Sequence, residues 1–165
     1  MIEWLFEKLI TQMSIAEPKW VVEPKKIPYA VYDSPDVVET ANTIVKELGI
    51  KGEVERVVAY PSWYVCFAIN LEFYGEDKGE EIAKMNIAIR DKNGSPIEKP
   101  DLAHKGTPTV WVYAISFIRS GKDPKFEDMR HKLDMSILQT YVTLYKKLVN
   151  EYSKFVDDPL CRFIK

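Results

Sequence analysis

The chain has 165 residues, of which 46% are hydrophobic and 29% charged, and its formal net charge is −2. This length and composition indicate one globular domain with its own hydrophobic core, and they argue against intrinsic disorder. The near-neutral charge argues against a protein that binds duplex nucleic acid or anionic lipid through an overall basic surface.

The cysteines and the first residues bear on the cellular compartment. The two cysteines, Cys66 and Cys161, form no CxxC pair. Acidic residues interrupt the start of the chain, where a secretory signal needs a basic start and an unbroken apolar run, and no apolar run could span a membrane. We therefore expect a cytoplasmic protein without membrane partners. The excess of Lys and Glu over Asn and Gln suggests a thermophilic source.

The first predicted elements are a helix and a proline-rich arm. Apolar residues recur at helical spacing over residues 2–14, so we assign residues 1–17 to an N-terminal helix. Residues 18–34 form the arm, which contains three prolines. Because proline cannot pair within a central strand, we expect an arm or an edge strand here.

A second helix and four strands are predicted next. Ser34 followed by Pro35 is typical of a helix start, and Gly49 is typical of a helix end. Period-two patterns, turn residues and a continuous apolar run then predict four extended segments. These segments cover residues 54–60, 63–74, 83–91 and 109–119.

The last predicted element is a long helix over residues 124–156. Asp123 and Pro124 are typical of a helix start, and a wide apolar stripe follows them. The predicted fold is α+β: a mostly antiparallel four-stranded meander sheet packed against a long C-terminal helix, with two N-terminal helices. We expect a single domain over residues 1–165, with a core in 35–156 and a tail in 157–165.

The beginning of the last predicted helix carries an acidic cluster around a histidine. Because residues three and four apart share a helix face, His131 would lie beside Glu127 and Asp128, as a weak metal or acid–base site. The simpler interpretation is that acidic residues favour a helix N-terminus and that a polar face needs polar residues. We favour the simpler interpretation, and expect no metal and no cofactor.

A long connection between two predicted strands is a second candidate. It runs from Asp91 to Thr109 and contains three prolines and His104. Connections of this length without regular structure are uncommon in compact domains and often carry function. The alternative is an ordinary hairpin end with a short extra strand.

The third candidate is the polar side of the predicted sheet. Alternation places six polar or aromatic residues on one side of two strands: Tyr64, Asn70 and Tyr74, with Lys84, Asn86 and Arg90. The next strand would add Val110, Val112, Ala114, Ser116 and Ile118. One interpretation is a side covered by the first or second helix. The other is a shallow pocket, or a platform for a ligand or for single-stranded nucleic acid.

The aromatic residues divide into two groups. Trp4, Trp63, Trp111 and the tyrosines of the last helix lie on apolar stripes, which predicts core positions. Trp20 lies in the proline-rich arm without an obvious core partner. It is either an anchor for another protein or docks back onto its own domain.

Three functions are compatible with these features. The first is a non-catalytic binding or adaptor domain, with an unknown protein partner or with itself in a homodimer. The second is a single-stranded nucleic-acid-binding protein that uses the polar and aromatic sheet side. The third is a small enzyme that uses His131 or His104 with neighbouring carboxylates.

Overall fold

A computed structural model describes residues 2–48, 53–61, 69–74, 81–90, 109–117, 125–127 and 131–156 of the chain. Its elements are, in chain order, α1 (Glu3–Ile15), β1 (Lys19–Val21), β2 (Tyr29–Tyr32), α2 (Pro35–Glu47), β3 (Arg56–Pro61), β4 (Ile69–Tyr74), β5 (Glu81–Arg90), β6 (Thr109–Phe117), β7 (Lys125–Glu127), β8 (His131–Lys132), a 3₁₀ turn (Met135–Ile137) and α3 (Leu138–Tyr152).

The strands form one antiparallel sheet beside the helices. Their order is β1-β2-β3-β4-β5-β6-β7, and β8 also pairs with β6. Every strand pair in the described residues is antiparallel. The predicted α+β class with an antiparallel sheet is therefore confirmed. The described residues contain eight strands, so the predicted number of four is too low.

Helices α1 and α2 form because apolar residues recur on one side of each. Ser34 takes the N-cap position of α2 in an extended conformation, and Pro35 is the first helical residue. Thr40 Oγ1–H donates a hydrogen bond of 2.6 Å to Gln12 Oε1, which links the two helices. None of the helices in the described ranges has the length and apolar character needed to cross a membrane.

The hydrophobic core lies between the three helices and the sheet. Helix α1 contributes Leu5, Phe6, Leu9, Ile10 and Met13. Tyr141, Tyr145 and Tyr152 of α3 are buried in the same cluster, as the sequence predicts. The prediction for Trp4 is wrong, since 56% of this residue is exposed. Helical spacing places Trp4 close to the apolar stripe of α1, but its neighbour Leu5 fills the buried position.

The proline-rich arm forms two strands of the sheet. Strand β1 lies at one end of the strand order, as an edge strand would. Strand β2 pairs with both β1 and β3, so the prediction that no central strand occurs here is wrong. Pro28 explains the difference, because it precedes the first residue of β2 and removes no donor from the strand.

Trp20 docks back onto its own domain. Its Nε1–H donates a hydrogen bond of 2.8 Å to Glu151 Oε2 of α3. Its ring centroid lies 6.3 Å from that of Tyr152 and 5.6 Å from that of Phe155. One of the two interpretations of this tryptophan is therefore confirmed.

The long C-terminal helix begins later than predicted. Residues 125–127 and 131–132 pair with β6, and α3 begins only at Leu138. The Asp134 carboxylate accepts a hydrogen bond of 2.8 Å from the backbone N–H of Ser136, and this contact caps the 3₁₀ turn before α3. Local helix signals were outweighed here by pairing with the edge of β6, which is a long-range interaction.

Candidate functional site

The two sides of the sheet differ in what covers them. On β2 and β3, alternate residues join the core formed with the helices: Ala30, Tyr32, Val57 and Ala59. The residues between them lie on the other side of the sheet, because successive strand residues face opposite ways. We call this other side the polar face. On β2 and β3 it carries Tyr29, Val31, Val58 and Tyr60.

The backbone register extends the polar face across β4 and β5. Tyr60 lies opposite Asn70, and Asn70 lies opposite Asn86. Residues directly opposite in antiparallel strands share one side of the sheet. Tyr29 completes the line, since its ring centroid lies 5.1 Å from that of Tyr60 at an interplanar angle of 37°. We call Tyr29, Tyr60, Asn70 and Asn86 the Tyr–Asn row.

The two tyrosines of the row are partly accessible. Tyr29 and Tyr60 are both half-buried. Beside them, Val31 is 6% exposed and Val58 has no exposed surface. The two valines are therefore not accessible to a partner. The accessible surface of the polar face on β2 and β3 lies along the tyrosine pair and the charged residues at its margin.

Two lysines of the polar face lie beside acidic residues. The register places Lys84 opposite Glu72. At the margin, Lys19 Nζ donates a hydrogen bond of 2.8 Å to Asp33 Oδ2. This hydrogen bond holds the pKa of Asp33 below its usual value. At these two positions of the described strands, a positive residue therefore has a negative neighbour.

The structure brings together some of the predicted site residues. Asn70 and Asn86 are direct cross-strand neighbours, as alternation suggests, and both lie on the polar face. Tyr74 lies opposite Arg56 in the pairing of β3 with β4. Arg90 lies opposite Thr109, at the end of β5. Tyr64 and His104 lie outside the described residues.

Sequence reasoning missed the aromatic half of the row. Tyr29 lies in the predicted arm and Tyr60 in the predicted segment 54–60, and neither is among the candidate residues that the sequence indicates. The signal that identifies them is alternation within β2 and β3, where each tyrosine is two residues away from a buried valine. That signal becomes readable only when the pairing of β2 with β3 is known.

Strand β6 does not present the predicted set of residues on one side. Ser116 lies opposite Lys84 on the polar face, whereas Val112 lies opposite Ile87. The register shifts between Met85 and Ile87. A β-bulge of this kind inverts the alternation of a strand, so a face predicted from strict period two is wrong beyond it.

The acidic cluster around His131 does not lie on one helix face. Glu127 belongs to β7 and lies opposite Ile115, while His131 belongs to β8 and lies opposite Val112. Asp128 lies outside the described residues. Within the described ranges, no group of three or more His, Cys, Asp or Glu residues could hold a metal ion.

Comparison with known proteins gives no relative for this geometry. No protein-family model, no curated protein and no solved structure matches the chain.

Proposed function

We propose that this chain is a non-catalytic binding domain that takes a polypeptide partner along the Tyr–Asn row. The observation that carries the proposal is the register, which aligns two contacting tyrosines and two asparagines across four neighbouring strands. The row lies on the side of the sheet away from the residues that pack against the helices.

The residue types of the row suit a protein surface as partner. A tyrosine offers a large ring and a hydroxyl at a low cost in side-chain entropy, and tyrosine is enriched in protein interfaces. An asparagine amide both donates and accepts hydrogen bonds, so it can match the backbone groups of a partner. Strand pairing sets the backbone positions of these residues before binding, which reduces the entropy lost on association.

The charges favour a polypeptide over single-stranded nucleic acid. A strand of nucleic acid is held by cations that neutralise phosphates, along with stacking rings. Here Lys19 is bonded to Asp33, and Lys84 lies opposite Glu72. Each of these two lysines therefore has an acidic neighbour, which reduces the positive charge that they offer to phosphates.

A phage-displayed random peptide library tests the proposal. The library is selected on the intact chain and depleted on the double variant Tyr29→Ala/Tyr60→Ala, so that peptides specific to the row survive. Affinities of the enriched peptides are then measured by fluorescence anisotropy for the wild type, for Asn86→Ala and for Asn150→Ala. Asn150 is the matched control, because it is exposed on α3.

We expect the enriched peptides to bind the wild type and the Asn150→Ala control with equal affinity. Their affinity for Asn86→Ala should be lower by at least about tenfold. Circular dichroism melts of all variants separate lost binding from lost folding. Failure to enrich any peptide contradicts the proposal, and so does binding that survives in the double variant. Tight binding of a fifteen-residue oligothymidylate that weakens steeply with salt would favour the nucleic-acid function instead.

A further inference from the structure

The loop that joins β1 to β2 holds an exposed lysine in a backbone conformation that favours glycine. Lys25 has a φ of 63°. It follows Pro24, and the Lys26 N–H donates a hydrogen bond of 3.2 Å to the Glu23 carbonyl across the turn. A turn with proline in its second position and a positive φ in its third ordinarily carries glycine or asparagine there. Residues in such sparsely populated conformations are enriched at functional sites.

Two exposed apolar residues flank this turn. Val22 is 51% exposed and Ile27 is 45% exposed. Both are β-branched, so little side-chain entropy is lost when a partner covers them. We call residues 22–27 the hairpin tip.

The hairpin tip presents one uncompensated cation. Lys26 Nζ lies 3.1 Å from Glu23 Oε2, so its charge is paired within the turn. Within the described part of the chain, Lys25 has no ion pair and no hydrogen bond from its side chain. The tip thus offers an exposed ammonium group on a turn that has an exposed apolar residue at each end.

Two contacts at the base of the hairpin link β1 to the end of β2 and to α3. Lys19 is bonded to Asp33 across β1 and β2. Trp20 is bonded to Glu151 and packs against the end of α3. A loop that is fixed before binding loses less entropy on association than a mobile loop does.

We infer that the hairpin tip is a docking surface, separate from the Tyr–Asn row, for a polypeptide that offers a carboxylate beside apolar side chains. The carboxylate pairs with Lys25, and the apolar groups cover Val22 and Ile27. An anionic lipid surface is the competing occupant, but recognition of such a surface takes a cluster of several basic residues. The tip has two lysines, one of them paired with Glu23.

The test uses the same kind of peptide library with a different depletion. Selection on the intact chain is followed by depletion on the double variant Val22→Ser/Ile27→Ser, which leaves peptides specific to the tip. Enriched peptides are sequenced and measured on Lys25→Glu, Lys25→Arg and Lys25→Gly. Lys46→Glu is the matched control, because Lys46 is an exposed lysine on α2.

We expect enriched peptides that share an acidic residue next to apolar ones. Their affinity should fall at least about tenfold in Lys25→Glu and stay within about twofold in Lys25→Arg and in the control. Lys25→Gly should raise the midpoint of thermal unfolding, because glycine adopts a positive φ without strain, and it should still weaken binding. If Lys25→Gly raised both the midpoint of thermal unfolding and the affinity for the peptides, the lysine would have no use in binding.

Three results overturn the inference. The first is an absence of enriched peptides, and the second is an enriched set without acidic residues. The third is binding to vesicles of phosphatidylserine and phosphatidylcholine that Lys25→Glu abolishes. Because this depletion leaves only peptides that depend on the hairpin tip, a failure here leaves the proposal for the Tyr–Asn row untouched, and the reverse also holds.

Discussion

Trp20 and Glu151 are 131 positions apart in the chain and are joined by a hydrogen bond of 2.8 Å from the indole Nε1–H to the carboxylate Oε2. The contact fastens the first strand of the sheet to the last helix. Lys147 strengthens the junction one helical turn earlier, where its Nζ donates to the Ala16 carbonyl at 3.1 Å and to Glu17 Oε1 at 2.9 Å. A segment rich in proline is thereby held as part of the sheet.

The junction predicts different effects for two substitutions of Glu151. Glu151→Gln retains an acceptor for the indole N–H and should change the free energy of unfolding by less than about 1 kcal/mol. Glu151→Ala leaves that N–H without its partner and should cost about 1–3 kcal/mol. Urea unfolding at neutral pH measures both, with Glu47→Ala on the exposed end of α2 as control. Equal losses in the two variants would show that the hydrogen bond contributes nothing.

The sequence predicts elements well where the signal is local. The apolar stripes of α1 and α2 and the Ser34–Pro35 start of α2 depend on neighbours within a few residues, and the structure has these helices within two residues of the predicted limits. The limit of α3 depends instead on whether residues 125–132 find a strand to pair with. No short window of sequence contains that information.

The polar face shows the same division between local and long-range information. Alternation places Asn70 and Asn86 on a shared side because each strand is regular at that point. The contributions of Tyr29 and Tyr60 depend on a strand pairing across the whole of α2. The β-bulge opposite β6 is a further non-local feature, and it separates Ser116 from Val112.

The contrast between two aromatic residues of α1 gives a second prediction. Phe6 is completely buried, whereas Trp4 is 56% exposed although it lies on the same helix. Phe6→Ala should lower the free energy of unfolding by about 3–5 kcal/mol, because a large cavity opens in the core. Trp4→Ala should change it by less than about 1 kcal/mol. Thermal or urea unfolding measures both free energies. A comparable loss in the two variants would contradict the assignment of Phe6 to the buried side of α1 and of Trp4 to the exposed side.

Asn42 gives a third prediction, because it fixes the start of the segment that leads into β3. Its Nδ2–H donates to the Val54 carbonyl at 3.0 Å, and its Oδ1 accepts from the Val54 N–H at 2.6 Å. Asn42→Ala leaves both backbone groups without this partner and should cost about 2 kcal/mol. Thr43→Ala, one residue further along α2, is the control and should cost less than about 1 kcal/mol. Amide hydrogen exchange should show faster exchange at Val54 in Asn42→Ala alone.

The last prediction concerns Tyr32, whose side chain is buried under the junction of β1 with α3. Only 1% of this residue is exposed, and within the described part of the chain its hydroxyl has no hydrogen-bond partner. Burial raises the pKa of Tyr32 well above its usual value, and the charges of Glu151 and Glu17 raise it further. The folded state therefore keeps this hydroxyl neutral at a pH where the unfolded chain ionises it.

The sign of the pH dependence follows from that difference. The contribution of Tyr32 to stability is complete below the pKa of the unfolded chain, about 10, and is lost progressively as the pH rises above it. Tyr32→Phe removes an ionisable group that the fold must keep neutral. Between about pH 9 and about pH 11, which brackets the ordinary tyrosine pKa of about 10, the variant should therefore lose less stability than the wild type. At neutral pH the variant should lie within about 1 kcal/mol of the wild type, because no hydrogen bond in the described part is broken. Tyr29→Phe is the control, since Tyr29 is only half-buried on the polar face. Thermal unfolding as a function of pH compares the three proteins, and identical alkaline slopes for wild type and Tyr32→Phe would show that the buried hydroxyl does not govern the loss.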